Sequence, residues 1–182
     1  MSSHTPLPPD AADHLLGRAW PDIPLPATDG AAWSLAGLDT PAVVFAYPRT
    51  AEPGAPPLTS DWDHIPGAAG CTAEACGFRD HHSDFVGLRT RVFGLSMQDT
   101  EYQREMSKRL GLTYPVLSDA AMELTRALQL PTFEAAGHTM LRRLTVFVER
   151  GQITHIWYPI PEPTTHAHDV SAWVRTRTAP GT

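Results

Sequence analysis

The sequence predicts an α/β fold, a central mixed sheet flanked by helices. Three observations carry that reading. Two short apolar runs, Ala42-Val43-Val44-Phe45-Ala46-Tyr47 and the stretch holding Val92, Phe93 and Leu95, have the composition of strands buried on both faces. Helical periodicity lies between and after them, as parallel crossovers require. Late in the chain, residues 141–149 and 153–158 flank Arg150-Gly151 and read as an antiparallel hairpin. At 182 residues the chain suffices for one domain with a sizeable core.

Residues 1–18 read as an N-terminal extension, since Pro6, Pro8 and Pro9 oppose regular structure, and residues 19–182 as the domain proper. Leu15, Leu16 and Trp20, within residues 11–20, give a short amphipathic piece that can dock on it. Ile23-Pro24-Leu25-Pro26, the turn residues Asp29-Gly30 and Trp33-Ser34-Leu35 predict a small β-hairpin. Pro48 ends the first buried strand. Residues 49–70 then change composition sharply, with Pro53, Pro56, Pro57 and Pro66, and read as a long inserted loop anchored by Trp62 and Ile65.

Residues 71–86 predict a helix with Ala75, Phe78, His82 and Phe85 on one face, and 91–97 the second buried strand. Asp99 or Thr100 caps a helix carrying Tyr102, Met106 and Leu110, which Gly111 closes. Residues 114–117 are extended. Asp119 caps another helix, through Leu124 and Leu128, that Pro131 terminates. A last amphipathic helix spans 166–175, through Val170, Trp173 and Val174. The order hairpin, β, α, β, α, α, β, β, α fits a thioredoxin-like α/β sandwich.

Composition narrows the function. With 42% hydrophobic and 19% charged residues, the chain is neither disordered nor membranous. No apolar run approaches the length of a bilayer span. The first ten residues lack the basic stretch and apolar segment of a secretory signal, so a cytoplasmic location is expected. A net charge of −6, with no run of Lys or Arg, argues against nucleic acid as partner.

Two cysteines make no disulfide framework, and a close pair in the cytosol points instead to redox or metal chemistry. Cys71 follows a glycine-rich loop and opens a helix. Unpaired N–H groups and the helix dipole favour an anion there, so this thiol is expected to ionise readily and to be the nucleophile. Cys76 stands five residues on. In an intact α-helix the two Cα atoms would be roughly 8.7 Å apart, whereas a disulfide tolerates about 7 Å at most. The pair can join only if the first turns unwind, and Gly77 lowers that cost by roughly 1 kcal/mol relative to alanine. Cys71, Cys76, His81 and His82 could be drawn as a zinc site, but side chains diverging from one helix cannot easily surround a metal. No metal or organic cofactor is indicated. Arg79 and Glu74 read as solvated helix residues, and His166 and His168 as exposed.

The stretch Cys71-Thr72-Ala73-Glu74-Ala75-Cys76-Gly77-Phe78-Arg79-Asp80 resembles the active-site helix of the Q-type, or bacterioferritin-comigratory-protein-like, peroxiredoxins. The resemblance covers about residues 23–174. It includes Tyr47-Pro48, Val92-Phe93-Gly94-Leu95-Ser96, Pro115-Val116-Leu117-Ser118-Asp119 and Arg143-Leu144-Thr145-Val146-Phe147-Val148. It implies a thiol-dependent peroxidase with Cys71 peroxidatic and Cys76 resolving, reducing hydrogen peroxide or organic hydroperoxides. Thioredoxin or a similar dithiol would recycle it, and the chain would be a monomer or weak dimer. Arg143 would match the arginine that holds the thiolate and the peroxide oxygens. By strand alternation it points away from Leu144, Val146 and Val148.

The chain departs from the family at two positions. Where the family carries proline seven residues before the peroxidatic cysteine and threonine three before it, this chain has His64 and Ala68. Thr50, two residues after Pro48, is the candidate to supply the missing hydroxyl. A backbone group or another loop side chain is the alternative. Two other readings use the same cysteines. A general thiol–disulfide oxidoreductase is disfavoured, because that chemistry normally spaces its cysteines by two residues. A non-catalytic redox sensor would use the disulfide to change a binding surface around the 49–70 loop.

Overall fold

The structure, a computed structural model, describes residues 8–178, so the first seven residues of the expected extension, Pro6 among them, lie outside the described residues. Its centre is a five-stranded mixed sheet. The buried runs form β3 (Ala42–Ala46) and β4 (Arg91–Ser96), which pair in parallel, and β5 (Val116–Ser118) continues the parallel half. On the other side β8 (Leu144–Glu149) runs antiparallel to β3, and β9 (Gln152–Trp157) antiparallel to β8. The strand order is therefore β5-β4-β3-β8-β9. Two short antiparallel pairs stand outside this sheet: β1 (Leu25–Pro26) with β2 (Ala32–Trp33), and β6 (Thr132–Ala135) with β7 (His138–Leu141).

Alternation along the strands divides the core in two. Val44, Ala46, Leu95, Leu144, Val146 and Val148 face a cluster containing Leu15, Trp20, Leu35 and, from α4 (Glu123–Leu128), Leu124 and Leu128. Val43, Phe45, Val92 and Phe147 face the opposite cluster. There they meet α1 (Cys71–Asp80), α2 (His82–Gly87), α3 (Thr100–Leu110) and α5 (Pro163–Thr178) through Phe78, Phe85, Met106 and Val170. Helices therefore cover both faces, as strands with no polar face require.

Local signals hold at most ends. Asp99 caps α3, its carboxylate accepting the Tyr102 N–H at 2.8 Å, and Gly111 closes the helix at φ +62°. Asp119 accepts the N–H groups of Leu124 and Thr125 at 3.1 and 2.8 Å, capping α4 from just upstream. Leu15 is fully buried, and Gly17 N–H donates to Ile153 O at 2.8 Å, so the N-terminal piece docks beside β9.

Three local expectations need correction, and one hairpin was not expected. Residues 71–86 are two helices, broken at His81, which is at once the C-cap of α1 and the N-cap of α2. The break accompanies the burial of both Phe78 and Phe85. Residues 141–149 are not one strand: β7 ends at Leu141 and β8 begins at Leu144, leaving Arg142 and Arg143 at the junction. The β6–β7 hairpin was not legible, because its turn places Ala136 at φ +50°, a conformation alanine seldom signals. The last helix starts at Pro163, where proline suits a helical first turn, three residues before the expected start. Within residues 49–70, Ile65 and Ala68 are buried with Phe133 and Met140, and Trp62 packs on Phe133 at 6.3 Å between ring centroids. This segment is thus seated on the same hairpin. No described helix is long and apolar enough to cross a membrane.

Candidate active site

Gly70 sets the site. At φ +94° it turns the chain into α1, and its carbonyl accepts the Glu74 N–H at 2.9 Å. A Cβ there would stand 2.6 Å from Pro163 Cγ, so only glycine lets the two helix starts approach so closely. Cys71 is then the first residue of α1. Cys71, Glu74, Ala75 and Phe78 share its buried face, and Phe78 stacks on Phe45 of β3 at 4.3 Å. Cys76 is half-buried, five residues along, and both cysteines are free thiols.

Arg143 reaches this face from the β7–β8 junction. It is 3% exposed, and Thr145 and Phe147 share its side of the strand, opposite Leu144 and Val146. Its Nη2 donates to Cys71 Sγ at 3.1 Å and to Ala69 O at 2.8 Å. Its Nη1 donates to Glu74 Oε2 in a short, fully buried ion pair. The Cys71 thiol in turn donates to Ala68 O at 3.5 Å. Where the resembled family has a threonine side chain, this chain presents a backbone acceptor.

Thr50 lines the same cavity as Cys71, a space of about 650 Å³ whose walls include Arg49, Leu58, Trp62 and Ala68. Its hydroxyl, however, is donated to Gln98 Oε1 at 3.3 Å. His64 lines a neighbouring cleft of about 730 Å³ that Arg143 also borders. Cys71 is therefore brought together with Arg143 by a direct contact and with Thr50 by a shared cavity, whereas Cys76, five residues along α1, lines neither space.

The electrostatics differ from a simple helix-terminus argument. Burial pushes the Cys71 thiol above its ordinary range. Arg143 and then the Arg49 backbone N–H oppose that shift, while the Glu74 carboxylate adds to it. Glu74 is itself pushed up to about 7 by burial, against the pull of Arg143. One cation is thus shared between two buried acids, so each holds back the ionisation of the other. The expectation of a readily ionised thiol is corrected accordingly: burial, with Glu74 adding to it, raises Cys71 by more than Arg143 and the Arg49 N–H lower it.

Glu74 is also no solvated residue. It is fully buried, and its position three residues after Cys71 on the apolar face was the overlooked signal. His166 is likewise buried, its Nε2 2.8 Å from Thr145 Oγ1 beneath the site, and burial lowers it to about 4. Gln98, which binds Thr50, carried no signal, since its contact spans 48 residues of chain.

A mixed sheet carrying a buried thiol at a helix start, with an arginine reaching it from a strand junction, is an arrangement of the redoxin class. Residues 15–172 match the redoxin family model, and the chain belongs to that family. Within it, the similarity runs to peroxiredoxins of the Q or bacterioferritin-comigratory type. Peroxiredoxin bcp1 of Schizosaccharomyces pombe is 30% identical over 62% of this chain and 51% of its own length. A chloroplastic peroxiredoxin Q of Oryza sativa subsp. japonica is 28% identical over 82% of this chain and 62% of its own length. The chain thus spans less than two thirds of these curated relatives. Among solved structures, peroxidoxin BcpB of Mycobacterium tuberculosis superposes with a TM-score of 0.70 at 25% identity, covering 88% of this chain and 96% of that one. Peroxiredoxin Q of Xanthomonas campestris gives 0.68 at 20%, over 95% and 96%, a likeness of thioredoxin-like fold.

Proposed function

We propose that this chain is a thiol-dependent peroxidase in which Cys71 attacks the peroxide and Cys76 resolves the product. The observation that carries the reading is the Arg143 guanidinium 3.1 Å from Sγ of Cys71, a residue that itself lines a cavity of about 650 Å³. The thiolate attacks the terminal peroxide oxygen, the O–O bond breaks, and an S–OH bond forms. The other oxygen departs with the electron pair and takes one proton to become alcohol or water. Arg143 stabilises the charge as it moves from sulfur to that oxygen.

Cys76 then displaces hydroxide from the sulfenic acid. The disulfide forms and one water leaves with the Cys76 proton. While α1 is intact, the buried Cys71 and half-buried Cys76 face apart, so its first turns must open for this step. A dithiol partner such as thioredoxin restores both thiols by exchange and is itself oxidised to a disulfide. Thr50 forms part of the peroxide cavity wall.

Reduced protein mixed with equimolar peroxide should lose both thiols and become two hydrogens lighter. It should then turn over with thioredoxin, its reductase and NADPH. Cys71→Ser should abolish peroxide consumption. Oxidation without turnover would favour the redox sensor, and a first oxidation that needed Cys76 but not Cys71 would reverse the roles.

A further inference from the structure

Gln98 lies between β4 and α3, outside every motif of the site. Its side-chain amide treats Thr50 as a neighbouring strand would. Oε1 accepts the Thr50 N–H at 2.9 Å, and Nε2 donates to Thr50 O at 3.0 Å. The Tyr102 hydroxyl donates to the same carbonyl at 3.2 Å. Gln98 is itself fixed, since Ser118 Oγ donates to its carbonyl at 2.6 Å and its own N–H donates to Ser96 Oγ at 3.3 Å. The last ladder bond in this register is Tyr47 N–H to Leu95 O at 3.0 Å. Beyond Pro48 the strand does not continue, yet the N–H and the carbonyl of Thr50 are both held.

That grip acts on the reacting sulfur. Arg49, one residue before Thr50, walls the Cys71 cavity together with Thr50, and its backbone N–H is among the groups that hold the Cys71 thiol down. We propose that Gln98 is a positioning residue of the thiol site: by clamping Thr50 it aims the Arg49 N–H at Sγ, as a second donor beside Arg143. The clamp explains how a chain with Ala68 three residues before Cys71 supplies a further donor to the anion, from backbone. The other groups acting on Cys71 are Arg143 from the strand junction, Glu74 from α1 and Tyr47 after β3, and none of them is bonded to Gln98. The inference rests on Cys71 being the attacking thiol.

The test uses full-length protein carrying Cys76→Ser, so that Cys71 alone is alkylated, and follows the rate with iodoacetamide against pH. Gln98→Met keeps the length and removes every clamp bond from this side chain. Its Cys71 profile should move to higher pH by roughly one unit, and kcat/KM for peroxide in the Cys76-containing protein should fall roughly tenfold. Tyr102→Phe removes one donor to Thr50 O and should give a smaller shift of the same sign. It decides the matter alone if Gln98→Met does not fold. Cys76, measured in a Cys71→Ser background, should keep its profile. Unmoved Cys71 profiles in the folded variants, or an equal shift at Cys76, would overturn the proposal. A chain that alkylates as expected but consumes no peroxide would instead overturn the peroxidase reading.

Discussion

At the scale of single residues, the site is governed by one guanidinium serving two buried acids. Arg143 bridges Cys71 and Glu74 while also holding Ala69 O, a geometry that needs the planar fork of arginine. Arg143→Gln should therefore raise the thiol further and cut kcat/KM for peroxide by about 10²–10³. Arg143→Lys keeps the charge but loses the fork, and should recover little of that loss, which steady-state kinetics will show. Glu74→Gln acts in the opposite direction. The hydrogen bond from Arg143 remains, but the competing negative charge is gone. The Cys71 thiolate should then titrate lower by roughly one unit, as followed by its ultraviolet absorbance. An unchanged titration would mean that Glu74 is not charged beside the thiol. Cys71 was legible in the sequence because a helix start is a local pattern, whereas Arg143 was singled out by the family resemblance. Glu74 was legible only from its i+3 spacing, and polarity alone misassigned it to solvent.

At the scale of elements, the proposed cycle turns on α1, which would hold Cys71 for the first step and release it for the second. Phe78 on Phe45 and the Tyr114 hydroxyl on Ala75 O, at 2.7 Å, tie down the middle of the helix, so unwinding from its first turn through Gly77 works against both contacts. The first turn starts at Gly70, with no side-chain cap. Gly77 faces α5, where a Cβ would lie 3.4 Å from Ala167 Cβ, an ordinary contact. Gly77→Ala should thus be accommodated and stabilise α1 by about 1 kcal/mol. Disulfide closure in rapid mixing should slow roughly fivefold while the first oxidation stays the same. Gly70→Ala is a different case, combining a positive φ with a clash against Pro163. It should lower the denaturant midpoint by more than about 1 kcal/mol of stability and impair peroxide reduction. The single long helix expected over residues 71–86 was wrong because helical periodicity continues across His81, while the helical backbone breaks there, at φ −96° and ψ 3°.

Across the whole molecule, two buried groups make stability depend on pH in opposite senses. Glu74 binds its proton more tightly folded, at about 7 against an ordinary 4.5, so its contribution is present at low pH and is lost as pH rises through that window. His166 binds its proton less tightly folded, at about 4 against 6.5, so stability falls as pH drops between those values. The two slopes oppose each other where the windows overlap. In Glu74→Gln the loss on raising pH should vanish, leaving a midpoint that only climbs from about pH 4 to pH 6.5. Chemical denaturation across that range checks it. A midpoint still falling toward pH 7 would assign the effect elsewhere. The clamp of Gln98 on Thr50 belongs to this scale too, since it joins segments that only the closed sheet brings together.

Arg143 was matched to its role only through the family resemblance, whereas the α/β class, the buried strands, the capping aspartates of α3 and α4 and the candidate nucleophile at a helix start follow from the chain alone. These rest on periodicity, capping chemistry and spacing, which act over a few residues. Folding in three dimensions settles the rest: the burial of Glu74 and His166, the seating of residues 49–70 on the β6–β7 hairpin, and the use of the Thr50 hydroxyl by Gln98 rather than by the cavity. Each of these depends on which surfaces lose water when distant segments meet, and desolvation has no local pattern along the chain.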